Sequence, residues 1–360
     1  MDNPAPEVKG VMQSIDPLPI KAKDLTASWF TTIFERQVKE ATIIETIHGT
    51  ASKVFVKLTF NDDTTKKVCV KGGLNPAVKS TLHFMLAVYR LEAEFYYNIA
   101  PTLNMALPRA IYAGTDTVRG QGLVVFEDLK AQGYSFGNPL EPWPVSRVEA
   151  GVKQLATLHA GTWGNRGEDL PSLAKAFSLK DAVTSLLSPE EWDKRFDPDT
   201  RPPVPVHLED QERIMAAFET LWRSETRMKC LIHGYAHIGN TFISPTGEPG
   251  FLDWQVIHPG SAMTDVAYFI IGSLSIDDRR LHEKELLLSY LEALNGEGGP
   301  EMLLEDVWGE YRRQAFHGFA WAVVGPMMPS REIIDAMTER HCAAIVDHKS
   351  IELLEGLIEA

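Results

Sequence analysis

The chain predicts an α+β fold, a small antiparallel sheet followed by a large, mainly helical part, and three observations carry that reading. Between Ala41 and Lys71 apolar and polar residues alternate with period two and are broken by short polar turns, the pattern of half-buried antiparallel strands. From Gly151 to Trp163 the apolar residues recur at helical spacing, and further amphipathic stretches follow towards the C-terminus. With 360 residues, 44% hydrophobic and 23% charged, the chain is long enough and apolar enough to build a real core.

Residues 1–20 carry Pro4, Pro6, Pro17 and Pro19 and predict an extended lead-in over the surface. Asp24 is placed to cap a short helix through about Arg36, with Leu25, Trp29 and Ile33 on its inner face. Ala41 to Thr50 reads as a strand. The small residues His48-Gly49-Thr50-Ala51-Ser52 then turn the chain into Lys53 to Phe60, where Val54, Val56, Leu58 and Phe60 share one face. Asn61-Asp62-Asp63 turns again into a strand ending at Lys71. Pro76 to Ala100 is helical in pattern, and residues 108–114 and 122–127 add two strands.

Beyond the helix at Gly151 to Trp163, the stretch 164–205 is Pro- and charge-rich, the kind of variable insert in which binding specificity would sit. Gln211 to Lys229 is an amphipathic helix, and three further helices are expected at about 304–324, 330–348 and 350–358. Between these, residues 231–255 read as a short apolar strand at Leu231-Ile232, a polar turn from His233 to Asn240, a strand at Thr241 to Ser244, a Pro/Gly turn, and a strand ending at Asp253. Asn240 and Asp253, thirteen residues apart, are thereby brought to one mouth. An amide oxygen and a carboxylate are what Mg2+ takes from a protein when phosphates and water supply its other ligands.

The bulk charge narrows the partners. Lys+Arg 35 against Asp+Glu 49 leaves −14, a surface that repels nucleic acid and anionic membranes. The start MDNPAPEVKG lacks a basic segment followed by an apolar one, and no apolar run is long enough to span a bilayer, so a cytoplasmic protein is expected. Cys69, Cys230 and Cys342 are widely spaced and suit reduced thiols.

The run His233-Gly234-Tyr235-Ala236-His237-Ile238-Gly239-Asn240, followed by Leu252-Asp253-Trp254, resembles the H-G-D-x-H-x-x-N and D-W loops of small-molecule kinases. These are the aminoglycoside phosphotransferase, choline kinase and ecdysteroid-kinase-like families. Glu92-Ala93-Glu94-Phe95-Tyr96, Leu155-Ala156-Thr157-Leu158-His159-Ala160 and Asp265-Val266-Ala267-Tyr268-Phe269 match further motifs of those families, and Arg279 to Tyr290 resembles the ecdysteroid-kinase-like branch in particular.

The resemblance implies a two-lobed protein-kinase-like fold, with residues 1–128 as the nucleotide-covering lobe and 129–360 as the helical lobe. It implies ATP and Mg2+ as cofactors and a small-molecule acceptor. Gly49 and Ser52 would lie in the turn over the phosphates, and Lys71 would meet the α- and β-phosphates. Glu92 would pair with Lys71, with Glu94 as the alternative, because the two stand about 200° apart on a helix. Glu127 and Leu129 would belong to the hinge that meets the adenine, and Asn240 and Asp253 would hold the metal. His159 and Asp265 would support the loop, and Trp163, Trp254, His258 and Trp321 are candidates to line an acceptor pocket.

One position departs from the pattern. Tyr235 stands where those families place the aspartate that accepts the substrate hydroxyl's proton. A phenol, with a reference pKa of about 10, is a donor at neutral pH, and making it a phenolate would need a shift of about 3 units, roughly 4 kcal/mol. General-base help is worth about 100- to 10,000-fold. His237, two residues on, would contribute if charged. Three readings stay open: a kinase that is weakened or uses another base, a nucleotide-binding pseudokinase, and a fold recruited for other chemistry with Tyr235 as proton donor.

Overall fold

The computed structural model describes residues 13–75, 77–78, 86–173, 179–224, 226–324 and 329–358. Five strands, β1 (Val38–Ile47), β2 (Ser52–Phe60), β3 (Thr65–Gly72), β4 (Ala110–Asp116) and β5 (Gln121–Glu127), form one antiparallel sheet in the order β1-β2-β3-β5-β4. Strand alternation sorts the side chains. Val54, Val56, Leu58, Val68 and Val70 face one side, where α1 (Ala27–Phe34) supplies Phe30 and Ile33 and the preceding segment supplies Leu18 and Leu25. By the same parity Lys53, Phe55, Cys69 and Lys71 face the other way, towards the helical lobe.

The cap of α1 is Thr26, whose hydroxyl accepts from Trp29 N at 3.3 Å, and not Asp24. The Asp24 carboxylate instead accepts from the Ile20 and Lys21 amides at 3.3 and 3.1 Å, closing the turn before the helix. The part of the lead-in holding Pro4 and Pro6, and the beginning of the expected helix at Pro76, lie outside the described residues. Within them, α2 (Leu86–Glu94) is buried from Ala87 to Glu94 and continues into a π turn at Phe95–Ile99. It approaches β5 so closely that a Cβ on Gly122 would stand 2.2 Å from the Tyr89 carbonyl oxygen, so only glycine fits there.

The helical lobe packs α3 (Val145–Gly161), α7 (Ala262–Ser273), α8 (Ile276–Gly296) and α9 (Leu304–Gln314) around one core. A second cluster gathers α4 (Leu179–Leu186), α5 (Pro189–Arg195) and α6 (Gln211–Arg223) against α11 (Arg331–His348) and α12 (Ser350–Ile358). The helix expected over 304–324 is broken: α9 ends at Gln314, a 3-10 turn spans Ala315–Phe319, and α10 (Ala320–Val323) follows. Among the described residues no helix is long and apolar enough to cross a membrane.

Around the segment 231–255 the pairing is less local than its sequence suggests. Strand β7 (Lys229–Ile232) pairs with β10 (His258–Ser261), while β8 (Thr241–Ile243) and β9 (Pro249–Phe251) form the hairpin, with β6 (Ser135–Phe136) added at its edge. Trp254 is fully buried and stacks on Phe95 with centroids 3.9 Å apart, joining the end of α2 to the turn that carries Asp253. Phe95→Ala removes that partner from a closed core. It should cost about 3–5 kcal/mol in urea unfolding, and a loss below about 1 kcal/mol would contradict this packing.

Candidate active site

The cleft between the sheet and the helical lobe has a volume of about 270 Å³. Lys71, Glu92, Glu127, Leu129, Asn240 and Asp253 all line it. Lys71 reaches it because odd-numbered residues of β3 point away from the sheet's apolar core, and its ammonium lies 2.8 Å from Glu92 Oε1 and 2.9 Å from Asp253 Oδ1. Glu92 also accepts from Trp254 N at 3.3 Å. Burial pushes the Lys71 pKa down, but Asp253 and Glu92 together overcome it and hold it above the ordinary lysine value. Burial likewise pushes Asp253 up, and the charge and hydrogen bond of Lys71, with Lys53 adding, bring it below the usual carboxylate range. Glu92 is the deeper of the two carboxylates, and there burial prevails and raises the pKa.

Asp253 itself sits at φ +68, in the left-handed region. A non-glycine residue there carries about 1–3 kcal/mol of backbone strain, and the turn that imposes it directs the carboxylate into the cleft beside Asn240. Asn240 Nδ2 donates to the Tyr235 carbonyl at 3.1 Å. That bond orients the amide and leaves its oxygen for another partner. These two oxygen donors fit a hard divalent cation that draws its other ligands from phosphate and water. Among the described residues no cluster of three or more His, Cys, Asp or Glu could hold a metal unaided.

Glu94, the alternative partner for Lys71, turns the other way: its carboxylate accepts from Ser172 N at 3.0 Å and Ser172 Oγ at 2.5 Å. Both glutamates are buried, Glu92 beside Lys71 and Glu94 against Ser172. The Glu127 carboxylate is engaged by Lys66 at 2.6 Å and Arg109 at 3.5 Å, so it is the chain at Glu127 and Leu129 that forms the cleft's wall. Gly49 and Ser52 are not among the lining residues. Ser52 is buried and bonds His48 Nδ1 at 3.0 Å, while Tyr89 donates to the Thr50 carbonyl at 2.7 Å and ties the turn to α2.

The loop beneath the cleft is held from behind. Asp265 accepts from His233 N at 2.6 Å and Gly234 N at 2.9 Å, with His159 Nε2 at 3.3 Å, and His159 Nδ1 meets the Tyr290 hydroxyl at 2.9 Å. His233 Nε2 faces the Leu252 carbonyl at 2.7 Å, which couples this loop to the strand end before Asp253. His237 Nδ1 accepts from Gly239 N at 3.1 Å and so caps the turn that presents Asn240.

Tyr235 and His237 do not line the cleft. The Tyr235 ring stacks with Tyr268 and Trp321, centroids 6.1 and 6.3 Å away, and meets His237 edge-on at 4.5 Å. Burial, with the charge of Asp253 adding, pushes the phenol up to about 12, and burial pushes His237 down to about 3. At pH 7 Tyr235 is therefore a proton donor, and the charged form expected to make His237 useful is excluded. Trp254 and Trp321 are core residues at 0% and 2% exposure, whereas Trp163 and His258 are half-buried.

The cleft also contains residues that the sequence reading passed over. Lys53 stands directly opposite Lys71 across β2 and β3, and Lys130 and Phe55 line the same space. The alternation that put Val54 in the core was the available signal for Lys53.

Residues 75–303 match the phosphotransferase enzyme family, and residues 248–360 match a family described as uncharacterized oxidoreductase dhs-27. Among solved structures the chain is similar to the macrolide 2'-phosphotransferase MphH of Brachybacterium faecium, at 13% identity over 86% of this chain and 96% of that one, with a TM-score of 0.46. It is similar to the choline kinase LicA of Streptococcus pneumoniae, at 13% identity over 90% and 97%, with a TM-score of 0.46. A choline/ethanolamine kinase family protein from Mesorhizobium loti shows 12% identity over 89% and 93%, with a TM-score of 0.49. No curated protein matches the chain.

Burial lowers three imidazoles strongly, one on the loop and two behind it. His237 is held at about 3 and His317 at about 4, and His341, whose ring nitrogens find no partner among the described residues, is pushed well below its ordinary value, in each case chiefly by burial. Their folded pKa values lie below the unfolded reference of about 6.5, so the unfolded chain binds more protons as pH falls. Their contribution to stability is complete above about pH 6.5 and should decline towards pH 4, by up to about 1.4 kcal/mol per pH unit for each histidine. Urea midpoints at pH 7, 6 and 5 measure this, and His317→Gln should flatten the slope. A midpoint independent of pH would contradict neutral burial.

Proposed function

The chain belongs to the phosphotransferase enzyme family, and from that premise we propose that it binds Mg-ATP in the cleft and transfers the terminal phosphoryl group to a hydroxyl of a small metabolite, slowly. The observation that carries this reading is the Lys71 ammonium held between Glu92 and Asp253 at 2.8 and 2.9 Å. Phosphoryl transfer depends mainly on positioning and on neutralising phosphate charge, and a lysine fixed by a helix carboxylate beside a metal-binding aspartate serves both.

In this reading the division into lobes falls at residues 128 and 129. Lys71 meets the α- and β-phosphates, and Glu127 to Leu129 borders the base. Asn240 and Asp253 hold Mg2+, which when bound supplies charge neutralisation along the phosphates. Glu92 keeps Lys71 aimed, and the Leu252 to Trp254 turn keeps Asp253 aimed.

What the chain lacks is the proton acceptor. Tyr235 is held neutral with its pKa near 12, and His237 is neutral with Nδ1 committed to the Gly239 amide. Neither takes a proton from an acceptor hydroxyl at pH 7. The rate therefore rests on positioning alone, about 100- to 10,000-fold below that of a site with a general base.

Mg-ATP should raise the melting temperature of the wild-type protein, and Asp253→Ala should abolish that rise. With water as the acceptor, Tyr235→Asp should increase ATP turnover by about two to four orders of magnitude. If Mg-ATP stabilises the protein but Tyr235→Asp gains nothing, transfer is not this site's task and a nucleotide-binding module takes its place. A melting temperature indifferent to Mg-ATP would remove both.

A further inference from the structure

Resting on the nucleotide reading above, we propose that Lys53 is a second phosphate-binding residue of the cleft, the one that lets the site hold a triphosphate. Lys53 on β2 and Lys71 on β3 are partners in the antiparallel register, and both side chains line the cleft. Both cations thus face the same space from adjacent strands, where one anion can meet both.

The charge around Lys71 shows why one lysine is not enough. Its ammonium already sits against two carboxylates, Glu92 and Asp253, so the trio carries a net negative charge towards any incoming polyphosphate. Lys130, also at the cleft, is committed elsewhere: its ammonium lies 3.9 Å from Glu45 and 5.1 Å from the centre of the Phe55 ring. Lys53 forms no hydrogen bond or ion pair with any described residue, and its side chain is exposed at the cleft. The adjoining turn His48-Gly49-Thr50-Ala51-Ser52 holds a single glycine, so a side-chain cation does what a glycine-rich loop would do with backbone amides.

Lys53→Ala and Lys53→Arg, both at an exposed position, should retain the wild-type melting temperature without ligand. Calorimetric titration of the full chain with Mg-ATP, Mg-ADP and adenosine then reads the effect. Lys53→Ala should weaken Mg-ATP binding about 10- to 100-fold, the loss expected for one charge-assisted phosphate contact. It should weaken Mg-ADP less and leave adenosine unchanged, and Lys53→Arg should stay within about threefold of wild type for all three, since it keeps the cation. Equal Mg-ATP affinity in wild type and Lys53→Ala overturns the assignment. So does an equal loss for adenosine, which would make Lys53 a packing residue. If wild type itself fails to bind Mg-ATP, the phosphotransferase reading falls first.

Discussion

The structure hangs on one ammonium ion. Lys71 is buried at 6% exposure, and burying a charge is costly unless partners replace the lost water. Its two partners come from distant parts of the chain: Glu92 from the helix packed under the sheet, Asp253 from the turn of the helical lobe. Their joint influence keeps the lysine charged against the pull of burial, and in return the lysine keeps Asp253 ionised in a strained left-handed turn. Sheet, helix and the turn at Asp253 are thus registered to one another by a single three-centre contact.

Everything behind that contact stiffens it. Asp265 gathers the His233 and Gly234 amides, His159 braces Asp265, and His233 bridges to the Leu252 carbonyl one residue before Asp253. None of these bonds uses the side chain at position 235. Tyr235 has accordingly left the loop's frame in place while turning its ring into the aromatic cluster of Tyr268 and Trp321. The frame of the loop and the ring at position 235 are thus held by different sets of partners.

Much of the fold was legible because its signals are local. Period-two alternation built the sheet's core from Val54 to Phe60 and, on the next strand, aimed Lys71 at the opposite face, and the short spacing from Asn240 to Asp253 made a hairpin the economical reading. Misreadings came from competition between neighbours or from distance. Thr26 and Asp24 are both good caps two residues apart, and only their tertiary surroundings chose between them. The pairing of Ile232 with His258, the breakage at Gln314, and the burial of Tyr235 against Trp321 depend on residues far along the chain. Lys53 escaped notice for another reason: on a half-buried strand a lysine opposite an apolar face reads as solvated until the second lobe is seen to cover it.

The tight seam between α2 and the sheet limits how such a protein could be controlled. Many regulated transferases shift between working and idle shapes by swinging a carboxylate-bearing helix outward. Here Gly122 lets the backbone of β5 press against the Tyr89 carbonyl, Tyr89 grips the Thr50 carbonyl, and Phe95 is wedged on Trp254. A swing would tear three interfaces at once, so the helix behaves as a rivet rather than a lever.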